Sequence, residues 1–183
     1  MKYRNLSGLL AGCIFLCGCT TNKHEPSVEV RPVYRSARAI EGALLVGISY
    51  GEFGTLVREM SKELVLARDR VKFSGASDPL SARILDKYGA LLEMYKDSAT
   101  VWQLQIQEKT YADELPALAN KYGVSSAVVD RTDRSFGITS HPRYVNYDQI
   151  REAIWSKATR FQEELLPEVY GVFAALPAPQ QKH

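Results

Sequence analysis

Asp78-Pro79 opens the segment that most restricts this chain. From there to about Glu108, apolar side chains recur at helical spacing, with Leu80, Ile84, Tyr88, Leu91, Tyr95, Ala99, Trp102 and Ile106 on one stripe at about 100° per residue. Aspartate suits the N-cap, and proline at the first helical position has no N–H to waste. A helix this long and amphipathic must bury its stripe against other helices. A composition with 45 % hydrophobic and 24 % charged residues supports a globular domain.

The neighbouring segments read the same way. A first helix is expected from Val33 to about Ile48, and its apolar run Ala43-Leu44-Leu45-Val46 implies burial on all sides. Gly47 and Gly51 bracket a break, and Ser49 to Glu52 has capping-box spacing for a restart. The second helix then turns Phe53, Leu56, Val57, Met60, Leu64, Ala67 and Val71 inward, leaving Val65 and Leu66 outside the stripe as candidates for an exposed apolar patch. Leu115-Pro116 and Tyr122-Gly123 bracket a short helix, with Gly123 as its left-handed terminator. Residues 124–145 have no helical period, and Val128, Val129 and Ile138 fit either short strands or a pinned loop. Asn146 to Gln149 opens the last helix, with Tyr147, Ile150, Ile154, Ala158, Phe161 and Leu165 inward and Pro167 expected to end or kink it before a final turn near Ala175. The fold class predicted is all-α, an antiparallel bundle of four main helices with one long irregular loop.

The N-terminus carries a different message. Met1-Lys2-Tyr3-Arg4-Asn5 is basic, Leu6 to Cys17 is an apolar run, and Gly18-Cys19-Thr20 is a small-residue exit. That is the pattern of a signal peptide, and the run is shorter than the roughly 20 residues that a membrane-spanning helix needs. Here the chain resembles the bacterial lipoprotein family, because Leu16-Cys17-Gly18-Cys19 looks like a lipobox. The resemblance implies a diacylglyceryl thioether on Cys19, cleavage before it, and acylation of the new amine by a fatty acid such as palmitate. Leu10-Ala11-Gly12-Cys13 is a second match, closer to the lipobox consensus. Cleavage there would leave only Leu6 to Gly12 as apolar core and would leave Ile14, Phe15 and Leu16 on the mature protein, so Cys19 is preferred. Thr20 after the cysteine resembles the outer-membrane class, facing the periplasm in a Gram-negative host. Two or more acyl chains hold a protein stably on a membrane. The expected organisation is a signal peptide at 1–18, a lipidated flexible tether at 19–32, a helical domain at 33–175 and a disordered tail at 176–183. The mature body is also faintly similar to small helical envelope lipoproteins of uncharacterised role, a likeness that carries no functional residue across.

Charge and cysteine usage narrow the chemistry. The precursor has 23 Lys and Arg against 21 Asp and Glu, and removal of Lys2 and Arg4 leaves a balanced mature chain. Bulk charge therefore gives no case for nucleic acid or anionic lipid. Cys13, Cys17 and Cys19 all precede residue 20, which leaves the body without a disulfide framework or thiolate metal site. His24, His141 and His183 are too far apart in sequence for an HExxH or di-iron pattern, and no Gly-x-Ser-x-Gly stretch surrounds a serine.

Four further groups carry candidate chemistry. Asp86, Glu93 and Asp97 lie within about 40° on the long helix, with Gly89 and Ala90 between them, and suit a hard cation or a basic helix unless they are simply its solvated back. Tyr88, Tyr95 and Trp102 would line a ligand pocket or, more in keeping with such a stripe, form core with hydroxyls at the rim. Arg68, Arg70 and Lys72 end the second helix, where cations complement its dipole. Arg131, Arg134 and Arg143, interleaved with Asp130 and Asp133 near His141, would bind a ligand or pair among themselves. The expectation is a membrane-anchored, non-enzymatic envelope lipoprotein without metal or cofactor, acting as a protein-interaction, accessory or adaptor module. It would meet the membrane through its anchor and an envelope protein through its body, with no nucleic acid partner. The alternative is a helical bundle that binds a small molecule or lipid.

Overall fold

The computed structural model describes residues 28–73, 79–110, 112–130 and 143–171. The expected signal peptide, Cys13, Cys19, most of the tether and the tail lie outside the described residues. The described part is predominantly helical. In order come α1 (Arg31–Val46), α2 (Tyr50–Phe73), α3 (Pro79–Ile106), α4 (Glu114–Lys121), a 3-10 turn at Ser125–Ala127, β1 (Val128–Asp130), β2 (Arg143–Val145) and α5 (Tyr147–Gly171).

Local chemistry sets the boundaries. Pro32 lies at the start of α1, and Val30 just ahead of it is buried, so the fold begins slightly before the expected end of the tether. Gly47 at φ 87° ends α1. Ser49 and Glu52 then form the expected capping box: the Ser49 amide donates to Glu52 Oε2 at 3.0 Å, and the Glu52 amide donates to Ser49 Oγ at 3.4 Å. Gly123, at φ 76°, terminates α4 with the Val124 amide on Ala119 O and its own amide on Asn120 O. The end of α3 repeats that pattern without a glycine. Glu108 takes φ 53°, while Lys109 N donates to Leu104 O at 2.9 Å and Glu108 N to Gln105 O at 3.0 Å.

Helix α3 packs on α1, α2 and α5, and α1 packs on α2. Arg68 in α2 meets Asp86 in α3 at 3.1 Å, Arg83 and Lys87 in α3 meet Glu168 in α5, and Tyr34 in α1 meets Tyr170 in α5. These contacts bring the starts of α1 and α3 together with the ends of α2 and α5. At the other end Phe53 of α2 stacks on Trp102 of α3 and Trp155 of α5. The main core fills the space between, with Ile40, Phe53, Met60, Ile84, Tyr88 and Tyr95 fully buried. A second core gathers Val101, Leu115, Ala119, Ala127, Ile150 and Ile154 under α4.

Four expectations need correction. Ile106, expected to close the buried stripe of α3, is 58 % exposed at the last residue of that helix. The C-terminal apolar run of α1 is not buried on all sides, because Leu45 and Val46 are 82 % and 85 % exposed. Of the two expectations for Pro167, that it ends or kinks α5, the first fails: the helix continues to Gly171 with Leu165 and Val169 buried on either side of it. Packing on both sides outweighs the one backbone bond that proline removes. The 124–145 segment is also less irregular than expected. A 3-10 turn leads into β1, which pairs antiparallel with β2 in the register Val128↔Val145, Val129↔Tyr144 and Asp130↔Arg143. Ile138 lies outside the described residues.

Candidate functional site

The two most exposed large apolar side chains among the described residues, Leu45 and Val46, stand where α1 turns into α2. Leu45 and Val46 point away from the core because the buried face of α1, carrying Val33, Ala37 and Ile40, is complete without them. Each borders a cleft. One, of about 530 Å³, runs along the elbow between α1 and α2 and is lined by Ala43, Val46, Ile48, Gly51 and Leu56 among others. The second, of about 570 Å³, lies between α1 and α5 against Leu44, Leu45, Trp155, Thr159 and Arg160. Gly42, between the two on α1, has open space where a Cβ would stand. Nonpolar side chains left in water beside two clefts make this concave apolar surface the candidate site. Val65 and Leu66 on α2, expected outside the stripe, are 56 % and 38 % exposed.

Beneath this surface is an aromatic cluster of which the sequence pattern singled out Phe53 and Trp102 but not Tyr50 or Trp155. Trp102 and Trp155 stack edge to face at 5.9 Å, Phe53 touches both, and Tyr50 meets Trp102 at 5.9 Å. The Arg151 guanidinium lies over both indoles, 4.6 Å from the Trp102 ring and 5.7 Å from that of Trp155, and also meets Gln105 and Asp148. Burial lowers the Arg151 pKa, against the pull of Asp148 and Glu152. The signal was present as the four-residue spacing of Arg151 and Trp155, which places a cation over an indole on one helix face.

The carboxylates of α3 are all taken by cations of the same chain. Asp86 meets Arg68, Glu93 meets Lys96 at 2.8 Å, and Asp97 accepts from Lys121 at 2.5 Å and from the Tyr122 hydroxyl at 2.6 Å. Gly89 matters here, since a Cβ on it would come within 2.7 Å of the Arg68 guanidinium. The basic group received between these carboxylates is therefore Arg68 itself, and Arg68 serves Asp86 rather than its own helix terminus. Asp97 is no part of a solvated back, because α4 covers it. Burial, with Asp97 adding to it, pushes the Tyr122 phenol above its usual range. Among the described residues no group of three or more His, Cys, Asp or Glu is placed to hold a metal ion.

Tyr88 and Tyr95 are core, as their stripe suggested, but their hydroxyls do not reach the rim. Tyr95 donates to Gln162 Oε1 at 3.3 Å inside the core, and the Tyr88 hydroxyl has no partner among the described residues. Burial raises both phenol pKa values. Trp102 is only half-buried, within the aromatic cluster. Of the loop candidates, Asp130 and Arg143 are register partners in the ladder, while Arg131, Asp133, Arg134 and His141 lie outside the described residues.

Compared with protein-family models, with curated proteins and with solved structures, the chain matches none of them. No helix among the described residues is long and apolar enough to cross a membrane.

Proposed function

We propose that this chain is a non-enzymatic lipoprotein of the cell envelope, anchored through Cys19, whose body docks an envelope protein at the α1–α2 elbow. In this reading α1, α2, α3 and α5 form an antiparallel four-helix bundle, a topology that the end-to-end pairings Arg68–Asp86, Arg83–Glu168 and Tyr34–Tyr170 support. The observation that carries the docking surface is the exposure of Leu45 and Val46 between two clefts. In a Gram-negative host the residue after the cysteine, Thr20, favours the outer membrane with the body in the periplasm. The test is crosslinking and pull-down from intact cells, with the wild type beside Cys19→Ala and Leu45→Lys/Val46→Lys, and with intact mass of the purified protein recorded. A lipid-sized mass on Cys19 and one dominant envelope partner lost in the elbow variant are expected. An unmodified Cys19 removes the anchor, and a partner retained by the elbow variant removes the docking surface.

A second reading keeps the anchor and gives the 570 Å³ cleft an apolar small molecule or lipid acyl chain. Trp155 in its wall favours it. A hydrophobic ligand would then change tryptophan fluorescence and raise the melting temperature of the wild type but not of Leu44→Glu.

A further inference from the structure

The opposite end of the molecule, where residue 28 leads into α1, has a different surface. The last turns of α2 read Arg68-Asp69-Arg70-Val71-Lys72-Phe73, with Phe73 77 % exposed and the Lys72 ammonium 5.5 Å from its ring centre. Helix α1 starts with Arg31 and Arg35, with Glu29 just ahead of them. The pairs Arg68–Asp86, Arg83–Glu168 and Tyr34–Tyr170 bring the starts of α1 and α3 and the end of α5 beside that end of α2. Arg68, Arg83 and Lys87 are taken up there by Asp86 and Glu168, so the excess positive charge rests on Arg35, Arg70 and Lys72 against Asp69, beside the exposed side chains of Val28 and Tyr170. Around the other end acidic groups prevail among the described residues, with Glu52, Glu108, Asp113, Glu114, Asp148 and Glu152 against Lys109, Arg143 and Arg151. A chain balanced in bulk is thus polarised along its length.

We infer that the Arg70–Phe73 end is a membrane-apposed face, resting on the anionic surface of the bilayer that holds the anchor. The inference builds on the lipoprotein reading, and three features support it. Chain length rules out an upright pose with the elbow against the membrane. Only residues 20–27 separate Cys19 from the turn at Val28, so the tether reaches at most about 30 Å at roughly 3.4 Å per residue. Helix α3, with its 28 residues, is about 42 Å long at 1.5 Å per residue. The charge is complementary, since each Lys or Arg near an anionic surface adds attraction that decays within a Debye length. An exposed aromatic ring flanked by cations is also the side-chain pairing that settles at the headgroup boundary. Docked this way, the protein presents Leu45 and Val46 away from the bilayer.

Cosedimentation of the chain from Thr20 onward, which keeps every described residue and lacks the anchor, tests the face by itself. The vesicles are phosphatidylcholine alone, or phosphatidylcholine with roughly 30 % phosphatidylglycerol to supply negative surface potential. Binding is expected on the anionic vesicles only, weakening as salt rises. Arg70→Glu/Lys72→Glu is expected to weaken it at least tenfold and Phe73→Ser several-fold, with Leu45→Lys unchanged. Equal binding to both vesicles, no binding to either, or indifference to the Arg70/Lys72 reversal would overturn the inference. Intact mass of the full chain from cells reads Cys19 lipidation separately, so failure of the anchor and failure of the face are distinguishable.

Discussion

Arg151 holds its guanidinium carbon 4.6 Å from the centre of the Trp102 ring. The same group meets Gln105 and Asp148, so one side chain ties the start of α5 to the end of α3. Lysine keeps the charge but cannot reproduce a planar group that stacks and donates on two sides. Arg151→Lys should therefore cost about 1–2 kcal/mol in urea unfolding, from the lost stacking and charge-assisted bonds. Unchanged stability would mean that the ring contact contributes nothing.

Two buried tyrosines should respond in opposite directions. Tyr88 leaves its hydroxyl without a partner among the described residues, so Tyr88→Phe removes an uncompensated polar atom and should be neutral or stabilising by up to about 1 kcal/mol. Tyr95→Phe deletes a bond to Gln162 and strands that amide in the core, at a cost of about 1–2 kcal/mol. Thermal melts of the pair decide it, and equal shifts would contradict the assignment.

Glu108 occupies a position that Gly123 fills at the end of α4. A left-handed backbone strains a side chain with a Cβ, so Glu108→Gly should stabilise the protein by about 0.5–1 kcal/mol. A lower unfolding midpoint in the variant would argue against strain there.

Acid should loosen the end near Tyr170. The Lys87 hydrogen bond, with Arg83 beside it, holds the Glu168 carboxyl below the ordinary 4.5. A depressed carboxyl contributes stability that is fully present above its unfolded value and is lost as pH falls through the folded one. Glu168→Gln should be less stable than wild type at neutral pH and converge with it in acid. A constant difference across urea titrations at falling pH would exclude this linkage.

Much of this architecture was readable from side-chain spacing. The stripe from Leu80 to Trp102 is buried or half-buried, Ser49 and Glu52 cap α2, and Gly123 closes α4. Spacing failed at Leu45 and Val46, because an apolar residue has the same hydropathy whether it faces a neighbour or is left over. It also failed at Pro167, where burial of Leu165 and Val169 overrides a local preference. Gln162 and Arg151 escaped notice because a periodicity search discounts polar residues, while here one is buried beside Tyr95 and the other roofs two indoles. The elbow surface was not legible: the exposed Val65 and Leu66, which fall outside the stripe of α2, lie well along that helix, while the exposed apolar residues of the elbow are Leu45 and Val46 on α1.

The two cores are joined through Met94, which packs against both. Helix α4 has eight residues and buries only Leu115 and Ala119, too short to persist once detached. The molecule therefore has a slow half and a fast half. Amide protons of α4 and the β1–β2 ladder will exchange through a partial opening that leaves Met94 and the main core in place, while those around Tyr88 wait for the whole chain to unfold.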